Sequence, residues 1–507
     1  MNKNKIALIA LLSFVVLTLK LKGNETYYLL KAGIHFDSKV SGGKYTLEEL
    51  ARIISKEKLD VAIITDHDNM EVSYGIKPFE NLLKITVKRN SVATYGFENY
   101  FAEINYLDRI YKDIILIPGI EAVPFYFWEG SPVYENLELR NWHTHLLVFG
   151  MDSYKDYEKL PSLARGIGYK KPNGNTFRYI SQNMAYFFKI FLYFLALLFF
   201  FTRIIRKRRF PGTRKKYRFS IFSLLMTVLI ILLLKSEYPF LPRLYDQYHG
   251  DPGAGPFQAL IDYVHNHNGL IFWAHPEVTH EENLPLNIPF MQNSIRVFTK
   301  AYPHLIAETK QHNGFAIFWE GMKVLGKPGG LWDLTLKEYC LNYRKIPVWT
   351  IGELDFEESN NLDLIHETNT FIFVKEKSRD GVIEAMRNGR MYSTRDYFGD
   401  KIRLIDFSVH DPMSGNSAFI GETLKLTYPQ INIHIKLECL ENFKGSQNIY
   451  VFLGEKLVQK IPFYRSTDIW LEDSNFPKDK MFYYKIYIGK DDWIVLVTNP
   501  IFVKKLF

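Results

Sequence analysis

Cysteine is almost absent from this chain, since Cys340 and Cys439 are the only two among 507 residues. We expect them in different domains, which argues against a disulfide framework, and no paired-cysteine motif for structural zinc occurs. The sequence also lacks a Gly-x-Ser-x-Gly nucleophile elbow and a complete Gly-x-x-x-x-Gly-Lys-Ser/Thr phosphate loop. These absences argue against a serine hydrolase of the elbow type and against a P-loop nucleotide-binding enzyme.

Excess charge of either sign is lacking outside one stretch. The formal net charge is +8, but nine basic and no acidic residues lie from Arg203 to Arg218. Without those nine, the 63 basic residues fall to 54, against 55 acidic residues. The rest of the chain is therefore neutral, and the charge indicates a local membrane-facing loop instead of a nucleic-acid-binding surface.

Three apolar segments interrupt an otherwise polar chain. A basic amino terminus followed by the apolar run Ile6–Leu19 is typical of export, and residues 1–23 are predicted to be a signal or an uncleaved membrane anchor. Met184–Phe201 and Phe219–Leu234 approach spanning length and flank the basic loop. Two buried core helices are the alternative, but we favour a membrane hairpin over residues 184–236, because core helices rarely flank so basic a loop.

The tendency of basic residues to stay inside the cell predicts the topology. It places the amino terminus and the basic loop 203–218 in the cytoplasm, so residues 24–183 and the chain after the hairpin lie outside. We therefore expect a multi-pass protein of the cell membrane, with the lipid bilayer as one partner and no nucleic acid among its partners.

Helices and strands alternate in the portions on either side of the hairpin. Thr46-Leu-Glu-Glu49 is a capping box that opens a helix, and the apolar strand Val61–Thr65 follows. Further helix-to-strand pairs are predicted at Glu98–Tyr111 with Ile114–Ile120, and at Phe257–Asn266 with Leu270–Ala274. This alternation predicts an α/β fold with a parallel sheet or barrel.

Nearly every predicted strand ends in a His, Asp or Glu, the position where catalytic groups gather in such folds. One histidine at a strand end is more often structural, but this many ligand-type residues at equivalent positions indicate a metal site. The residues are His35, Asp37, Asp66, His67, Glu121, His275, Asp355 and Glu357, with His145 opening the strand Leu146–Phe149.

Six segments around these residues carry a likeness to a known family. They are Gly33-Ile-His-Phe-Asp-Ser38, Thr65-Asp-His-Asp68, Gly119-Ile-Glu121, His145-Leu-Leu-Val148, Ala274-His-Pro276 and Gly352-Glu-Leu-Asp-Phe-Glu357. In order and spacing this set resembles the polymerase-and-histidinol-phosphatase (PHP) family. The resemblance implies a distorted (β/α)7 barrel, divided into 24–183 and 237–400 by the transmembrane hairpin, whose metal cluster activates water.

The carboxyl-terminal part resembles one branch of that family. Gly389-Arg-Met-Tyr-Ser-Thr394, a β-rich tail and Thr498-Asn-Pro-Ile-Phe-Val503 are similar to the carbaryl-hydrolase branch, which places a sandwich after the barrel. Independently, apolar and polar residues alternate over Ile431–Cys439, and hairpin turns are expected near Gly454 and near Gly489–Asp492. Residues 401–507 are therefore predicted to form an all-β sandwich without metal ligands.

Three positions depart from the family pattern. Asp37 and Glu357 stand where histidines are usual, and both still offer an anionic oxygen, which shifts metal preference from zinc towards harder ions. Gly42 replaces a carboxylate that usually helps to bind one ion. We therefore expect two divalent ions, of zinc, manganese or iron, instead of three.

The resemblance also implies roles for the candidate residues. Glu121 would bridge the ions, while Asp66 is a ligand or, as we favour, an orienter of a neighbouring ligand. Arg390 could steady an anionic substrate or be a solvated arginine at a helix end. His143 could compete with His145, and His280 is expected in a loop. The other ligands would be His35, Asp37, His67, His145, His275, Asp355 and Glu357.

Two functional hypotheses from different classes follow. The first is an extracytoplasmic metal-dependent hydrolase, in which activated water attacks a phosphoester, carboxylic ester or amide of a small-molecule or envelope-derived substrate. The second is a degenerate barrel that binds a ligand without catalysis, as a membrane sensor. Retention of metal discriminates between them, and the substrate cannot be named from the fold.

Overall fold

The computed structural model describes residues 19–20, 26–167, 183–208, 216–238, 240, 242, 244–285, 292–357, 360–441, 443 and 445–507. The predicted signal or anchor lies outside the described residues, except that Leu19 and Lys20 form a short strand paired with Tyr27 and Thr26.

The described chain contains eleven α-helices and 28 strands. The helices are α1 Leu47–Lys56, α2 Val92–Tyr95, α3 Phe97–Ile110, α4 Tyr154–Tyr157, α5 Met184–Phe201, α6 Ile221–Glu237, α7 Gly255–Asn266, α8 Pro303–Glu308, α9 Leu331–Cys340, α10 Arg379–Arg387 and α11 Asp396–Asp400. The strands up to the middle of the chain are β1 Leu19–Lys20, β2 Thr26–Phe36, β3 Val61–Ile64, β4 Glu71–Gly75, β5 Lys84–Lys88, β6 Ile115–Ala122, β7 Phe127–Glu129, β8 Glu138–Arg140, β9 Leu146–Phe149, β10 Ile205–Arg208, β11 Lys216–Phe219, β12 Leu270–Trp273, β13 His280–Leu284 and β14 Ile295–Thr299. The later strands are β15 Gly314–Phe318, β16 Trp349–Gly352, β17 Thr368–Val374, β18 Met391–Arg395, β19 Ile402–His410, β20 Ser417–Phe419, β21 Thr423–Leu426, β22 Ile431–Cys439, β23 Gln447–Leu453, β24 Lys456–Phe463, β25 Thr467–Asp473, β26 Met481–Lys490, β27 Trp493–Thr498 and β28 Ile501–Lys505.

The first α/β unit forms for the local reasons that its sequence suggests. The Thr46 side chain accepts from the N–H of Glu49, and the Glu49 carboxylate accepts from the N–H of Thr46, which confirms the capping box. Helix α1 buries residues spaced three and four apart, and all four residues of β3 are buried. A strand covered on both faces needs such a continuous apolar run.

One large sheet organises the molecule, which is a mixed α/β protein with a strand-rich carboxyl-terminal region. Seven strands lie in the order β16-β15-β12-β9-β6-β3-β2, and the sheet continues from β2 through β17, β18, β27, β26, β23 and β24. Four pairs in the row of seven are parallel: β2 with β3, β3 with β6, β12 with β15, and β15 with β16. The parallel pairs place several strand ends at one edge of the sheet.

The two ends of this seven-strand row approach each other. The N–H of Leu354 donates to Ile34 O at 2.9 Å, and the N–H of Phe356 donates to His35 O at 3.0 Å. The N–H of Asp37 returns a bond to Phe356 O at 3.1 Å. These bonds join the segment after β16 to the end of β2, so residues far apart in the chain meet there.

Strand β9 departs from the parallel sheet or barrel that the alternation of helices and strands predicts. It pairs antiparallel with both β6 and β12, so that Leu147 lies opposite Glu121 on one side and Phe272 on the other. An antiparallel strand begins at the edge where its neighbours end. His145, which precedes β9, therefore reaches the same edge as residues that follow other strands.

The strand-rich tail forms a second core that begins before residue 400. A four-stranded sheet in the order β20-β19-β22-β25 packs its apolar side chains with those of β26 and β28. Phe371 from β17 and Tyr392 from β18 belong to the same core. The alternation predicted for Ile431–Cys439 is confirmed by its burial, and so are the turns between β23 and β24 and between β26 and β27.

Helices α5 and α6 pack against each other and leave most of their apolar side chains exposed. The Lys189 ammonium near the start of α5 lies 2.5 Å from the Glu237 carboxylate at the end of α6, so the two helices run in opposite directions. Helix α5 has a mean hydropathy of 2.1 with 6% of its residues buried, and among the described residues it alone has the length and hydropathy of a span. A single such helix is weak evidence for a membrane, so the multi-pass topology stays a prediction.

The basic segment between these helices is partly described. Strands β10 and β11 pair antiparallel, with Ile205 opposite Phe219. Residues 209–215 of the predicted cytoplasmic loop lie outside the described part of the chain.

Candidate metal centre

The structure brings eight of the predicted site residues to the edge where six of the seven strands end and β9 begins. The side chains of His35, His67, Glu121, His145 and His275 are buried, as is that of Asp37. Three overlapping groups each place one ligand atom per residue within 4.8 Å of the others. The groups are His67, Glu121 and His145; His35, Asp37 and Glu121; and Asp37, Asp355 and Glu357.

Glu121 lies at the centre of four imidazoles. Its Oε1 is 2.5 Å from His145 Nδ1 and 3.3 Å from His275 Nε2. Its Oε2 is 2.8 Å from His67 Nδ1 and 3.4 Å from His35 Nε2. Each carboxylate oxygen therefore faces two histidines, and Glu121 is shared by two of the three groups.

The ring nitrogens that face away from Glu121 are held by other groups. His145 Nε2 donates to the Trp142 carbonyl at 3.2 Å, which directs Nδ1 towards Glu121. His35 Nδ1 lies 2.5 Å from the Glu353 carboxylate, which leaves His35 Nε2 towards the cluster. A second group that fixes the tautomer and ring direction is the usual arrangement around metal-ligating histidines.

Glu353 is a site residue that the sequence prediction missed. It is fully buried, and its second oxygen accepts the backbone N–H of His275 at 2.7 Å, so one carboxylate ties two candidate ligands together. The sequence does contain a signal for this residue, because Glu353 directly follows β16 within the segment Gly352–Glu357. Residues 353, 355 and 357 are all acidic and follow one another at every second position. This spacing does not distinguish a supporting carboxylate from a metal ligand.

Four buried polar atoms in the cluster have no hydrogen-bond partner: His35 Nε2, Asp37 Oδ2, His67 Nδ1 and Glu121 Oε2. Leaving such an atom unsatisfied costs about 1–3 kcal/mol. All four converge, because His35 Nε2 lies 3.7 Å from Asp37 Oδ2 and Glu121 Oε2 lies close to both histidines. Imidazole nitrogens and carboxylate oxygens are the ligands of divalent zinc, manganese and iron, so the donor set fits such ions.

The charges of the cluster favour a cation beside Glu121. Burial lowers the pKa of His67, but the Glu121 carboxylate outweighs burial and raises that pKa to about 10. Burial also opposes a proton on His275, whose pKa the carboxylates of Glu121 and Glu353 raise to about 9. Burial raises the pKa of Glu121, yet His145, His67 and His35 hold it well below its usual range. Glu121 is therefore an anion that the surrounding imidazoles stabilise.

Three candidate ligands occupy strained backbone conformations. The φ angles are 74° at His35, 24° at His275 and 51° at Asp355, all in the left-handed region. Such conformations cost about 1–3 kcal/mol each and persist where the surrounding structure holds them, often at functional sites.

Asp66 supports the loop that carries Asp37. Its carboxylate accepts the N–H and hydroxyl of Ser38 at 2.9 Å and the hydroxyl of Ser41 at 2.7 Å. The same hydroxyl oxygen lies 3.2 Å from Asp37 Oδ1, so Ser41 lies between the two carboxylates. Asp66 belongs to none of the three ligand groups, and these bonds favour the orienting role over direct ligation.

Arg390 is not brought to the cluster, which corrects its suggested role in substrate binding. Its guanidinium is buried, contacts Glu384 and the Phe373 carbonyl, and lies 5.5 Å from the centre of the Tyr27 ring. Phe373 pairs with a residue of β2 six positions before His35. At about 3.3 Å per strand residue, Arg390 lies roughly 20 Å from the cluster. Because Arg390 is buried, the alternative of a solvated arginine is wrong as well.

His143 and His280 form a second layer of imidazoles beside the cluster. Their rings stack at 4.9 Å, and the His280 ring meets that of His275 edge-on at 5.2 Å. Burial, together with His275 and His143, lowers the pKa of His280 to about 4. His280 opens β13 and does not lie in a loop as expected, so a stacked pair of imidazoles adjoins the candidate ligands.

Comparison with known proteins gives distant structural likenesses. No family model and no curated protein matches the chain. A two-domain protein from Bacteroides vulgatus, containing a predicted PHP-like metal-dependent phosphoesterase, is similar at 12% identity and a TM-score of 0.33, over 96% of this chain and 98% of that one. A proposed metal-dependent phosphoesterase from Bifidobacterium adolescentis has 12% identity and a TM-score of 0.25, over 64% and 87% of the two chains. An amidohydrolase from Chromobacterium violaceum has 11% identity and a TM-score of 0.26, over 65% and 88%. These identities and TM-scores are low, and they carry no information about the chemistry of the site in this chain.

Proposed function

We propose that the chain is a metal-dependent hydrolase that acts on a phosphoester, or on a carboxylic ester or amide. The observation that carries this proposal is a set of four buried ligand atoms without a hydrogen-bond partner, from His35, Asp37, His67 and Glu121, which lie around the shared Glu121 carboxylate. Buried polar atoms are normally satisfied, and two divalent cations that share Glu121 would satisfy all four.

Two ion positions share Glu121 in this proposal. His67 and His145 would complete one, while His35 and Asp37 would complete the other. The remaining candidate ligands, His275, Asp355 and Glu357, adjoin these positions. When bound, such ions supply Lewis acidity, which polarises an ester oxygen and lowers the pKa of water from 15.7 to about 7.

The chain's own residues would prepare this site before substrate arrives. Glu353 and the Trp142 carbonyl hold the rings of His35 and His145 so that one nitrogen of each points inward. Asp66 fixes the loop of Asp37 through two serines. Rings that need no rearrangement bind a ligand with a smaller loss of conformational freedom.

The architecture that we propose around this site is the one expected from the sequence motifs. We interpret the seven-strand row with its joined ends as a distorted (β/α)7 barrel of the PHP type, formed by residues 24–183 and 237–400. The bonds from Leu354 and Phe356 to the end of β2 support this interpretation. Residues 401–507, with strands upstream of them, would be the sandwich of the carbaryl-hydrolase branch.

The cellular setting is also a proposal. Residues 184–236 would form a transmembrane hairpin with the basic loop 203–218 in the cytoplasm, so that the barrel and sandwich lie outside the membrane. The exposed apolar side chains of α5 and α6 support this placement. The substrate would then be a small-molecule or envelope-derived ester, with the bilayer as a partner and no nucleic acid.

Metal analysis of the purified full-length protein, combined with a substrate screen, tests the proposal. We expect bound zinc, manganese or iron at about two ions per chain, and turnover of a phosphomonoester, phosphodiester, carboxyl ester or amide that chelator abolishes. Metal binding without turnover of any of these would favour the non-catalytic sensor. A protein that binds no divalent metal would contradict both the site and the function.

A further inference from the structure

The face of the tail sheet that points away from its core carries polar side chains in three cross-strand rows. Strand β22 pairs antiparallel with β19 on one side and with β25 on the other, and β25 is the edge strand. The rows are Asp406, Lys436 and Asp468; Ser408, His434 and Trp470; and His410, Asn432 and Glu472. One tryptophan therefore stands in an otherwise polar surface.

Trp470 forms a flat platform on this face. Its ring stacks on that of His434 with centroids 4.3 Å apart and an angle of 13° between the planes. One face of the indole is thus covered by an imidazole, and the His410 ring lies 5.0 Å from it at an angle of 49°, while Trp470 as a whole is 58% exposed. The exposed area must lie on the outer face and edge of the ring.

The imidazole beneath Trp470 is held from both sides. His434 Nδ1 lies 2.7 Å from Asp406 Oδ2, and His434 Nε2 lies 2.8 Å from Asp468 Oδ1. Burial lowers the pKa of His434, but these two carboxylates outweigh it and raise that pKa. A protonated imidazole attracts the indole face more strongly than a neutral one does, so the raised pKa favours the stack. The platform is therefore fixed before any ligand arrives, which limits the entropy lost on binding.

The charges on this face largely neutralise one another. Lys436 Nζ lies 3.1 Å from Asp468 Oδ2, and His434 lies between Asp406 and Asp468. No run of unpaired basic groups is available for a polyanion among these nine residues, so nucleic acid is a poor match. No second large apolar side chain accompanies Trp470 there, which is unlike the centre of a protein interface.

From these features we propose that the Trp470 face binds an uncharged oligosaccharide, with one sugar ring stacked on the indole. A pyranose presents an apolar C–H face to an aromatic ring and hydroxyls around its rim. Asn432 and Glu472 occupy the adjacent row, where Asn432 is half-buried and Glu472 is exposed. Amide and carboxylate groups beside an aromatic plane match both parts of a sugar. This role is independent of the proposed hydrolase activity.

Binding by the full-length protein tests the proposal, in a detergent without a sugar headgroup so that the detergent does not compete. The probes are neutral hexasaccharides of β-1,4-glucose, β-1,4-mannose, α-1,4-glucose and β-1,4-N-acetylglucosamine, followed by quenching of tryptophan fluorescence and by calorimetry. At least one should bind, and Trp470→Ala should weaken that binding about tenfold or more. Trp470→Phe, which keeps an aromatic ring, should retain part of it.

Trp493 provides a matched control. It is 55% exposed, but its indole N–H donates to Asp396 at 2.6 Å and the Arg395 guanidinium lies 3.9 Å from the ring centre. Trp493→Ala should leave oligosaccharide binding unchanged. Binding of no hexasaccharide, or equal binding by Trp470→Ala and the unmodified protein, would overturn the proposal. Selective capture of heparin or duplex DNA through Trp470 would also overturn it.

Discussion

Replacing Glu121 by glutamine tests the centre of the site most directly. Glu121 contacts four imidazoles at 2.5, 2.8, 3.3 and 3.4 Å and belongs to two of the three ligand groups. Glutamine keeps the size of the side chain but removes its negative charge. Both proposed ion positions should therefore weaken together, whereas the loss of a ligand used by one position alone would leave the other intact.

The expected effect follows from the linkage between binding and stability. A metal present at 100 times its dissociation constant stabilises the folded chain by about 2.7 kcal/mol. A change that weakens affinity about 100-fold removes most of that term. For a barrel formed by residues 24–183 and 237–400, with an unfolding entropy of about 2.1 cal/mol/K per residue, this corresponds to a fall of about 4 °C in Tm. Chelator should thus lower the Tm of the unmodified protein by that amount and barely change the Tm of Glu121→Gln.

The assay combines thermal unfolding with and without chelator, metal content per chain, and turnover of the best ester in the screen. Turnover by Glu121→Gln should fall by about two orders of magnitude or more. Glu277→Gln is the matched control, because Glu277 is a buried carboxylate near the same edge that accepts three backbone N–H groups, from Lys323, Val324 and Leu325. It should lower stability without changing metal content. Full metal content and activity in Glu121→Gln would refute the reasoning.

Three further predictions concern other parts of the chain. Arg390→Met should leave turnover unchanged but lower stability by about 1–3 kcal/mol, because its buried guanidinium contacts Glu384 and a carbonyl; a selective loss of turnover at unchanged stability would contradict this. A reporter inserted within residues 210–213 should lie in the cytoplasm and one at the carboxyl terminus outside, and reporters on the same side would exclude the hairpin. Hydrogen bonds from Thr427 and neighbouring backbone N–H groups, which outweigh burial, lower the pKa of Asp411 from 3.8 to about 2. Stability from these bonds is present above pH 3.8 and disappears as the pH falls through about 2, so Asp411→Asn should be less stable at neutral pH and approach the unmodified protein in acid. An unchanged difference in denaturation midpoint across that range would contradict the role of Asp411.

Much of the fold and of the candidate site could be predicted because the signals are local. The capping box at Thr46, the buried strand β3 and the alternation along β22 each depend on neighbours within a few residues. The candidate ligands were found for the same reason, since a polar residue directly after an apolar run is visible without knowledge of the partners of that strand.

The incorrect predictions concern features that depend on pairing between strands far apart in the chain. The direction of β9 is set by β6 and β12, and the sequence of four apolar residues is equally suited to either direction. Arg390 follows a helix and precedes a strand, but only the register of β17 against β2 shows that it lies at the far end of the sheet. His280 lies on β13, which belongs to a separate sheet, and there it contacts His275 and His143. No local pattern in the sequence indicates these contacts.

Strands β9 and β12 are direct neighbours, with Phe149 opposite Leu270, although helices α5 and α6 lie between them in the chain. A ribosome therefore completes five of the eight candidate ligands before the apolar helices and three after them. In a chain threaded into a bilayer, the two groups can meet only when both are delivered to the same compartment. A molecule with one helix inverted would leave His275 and Glu353 on the opposite side from Glu121. If both helices span a membrane, only correctly inserted molecules would therefore bring the candidate ligands together.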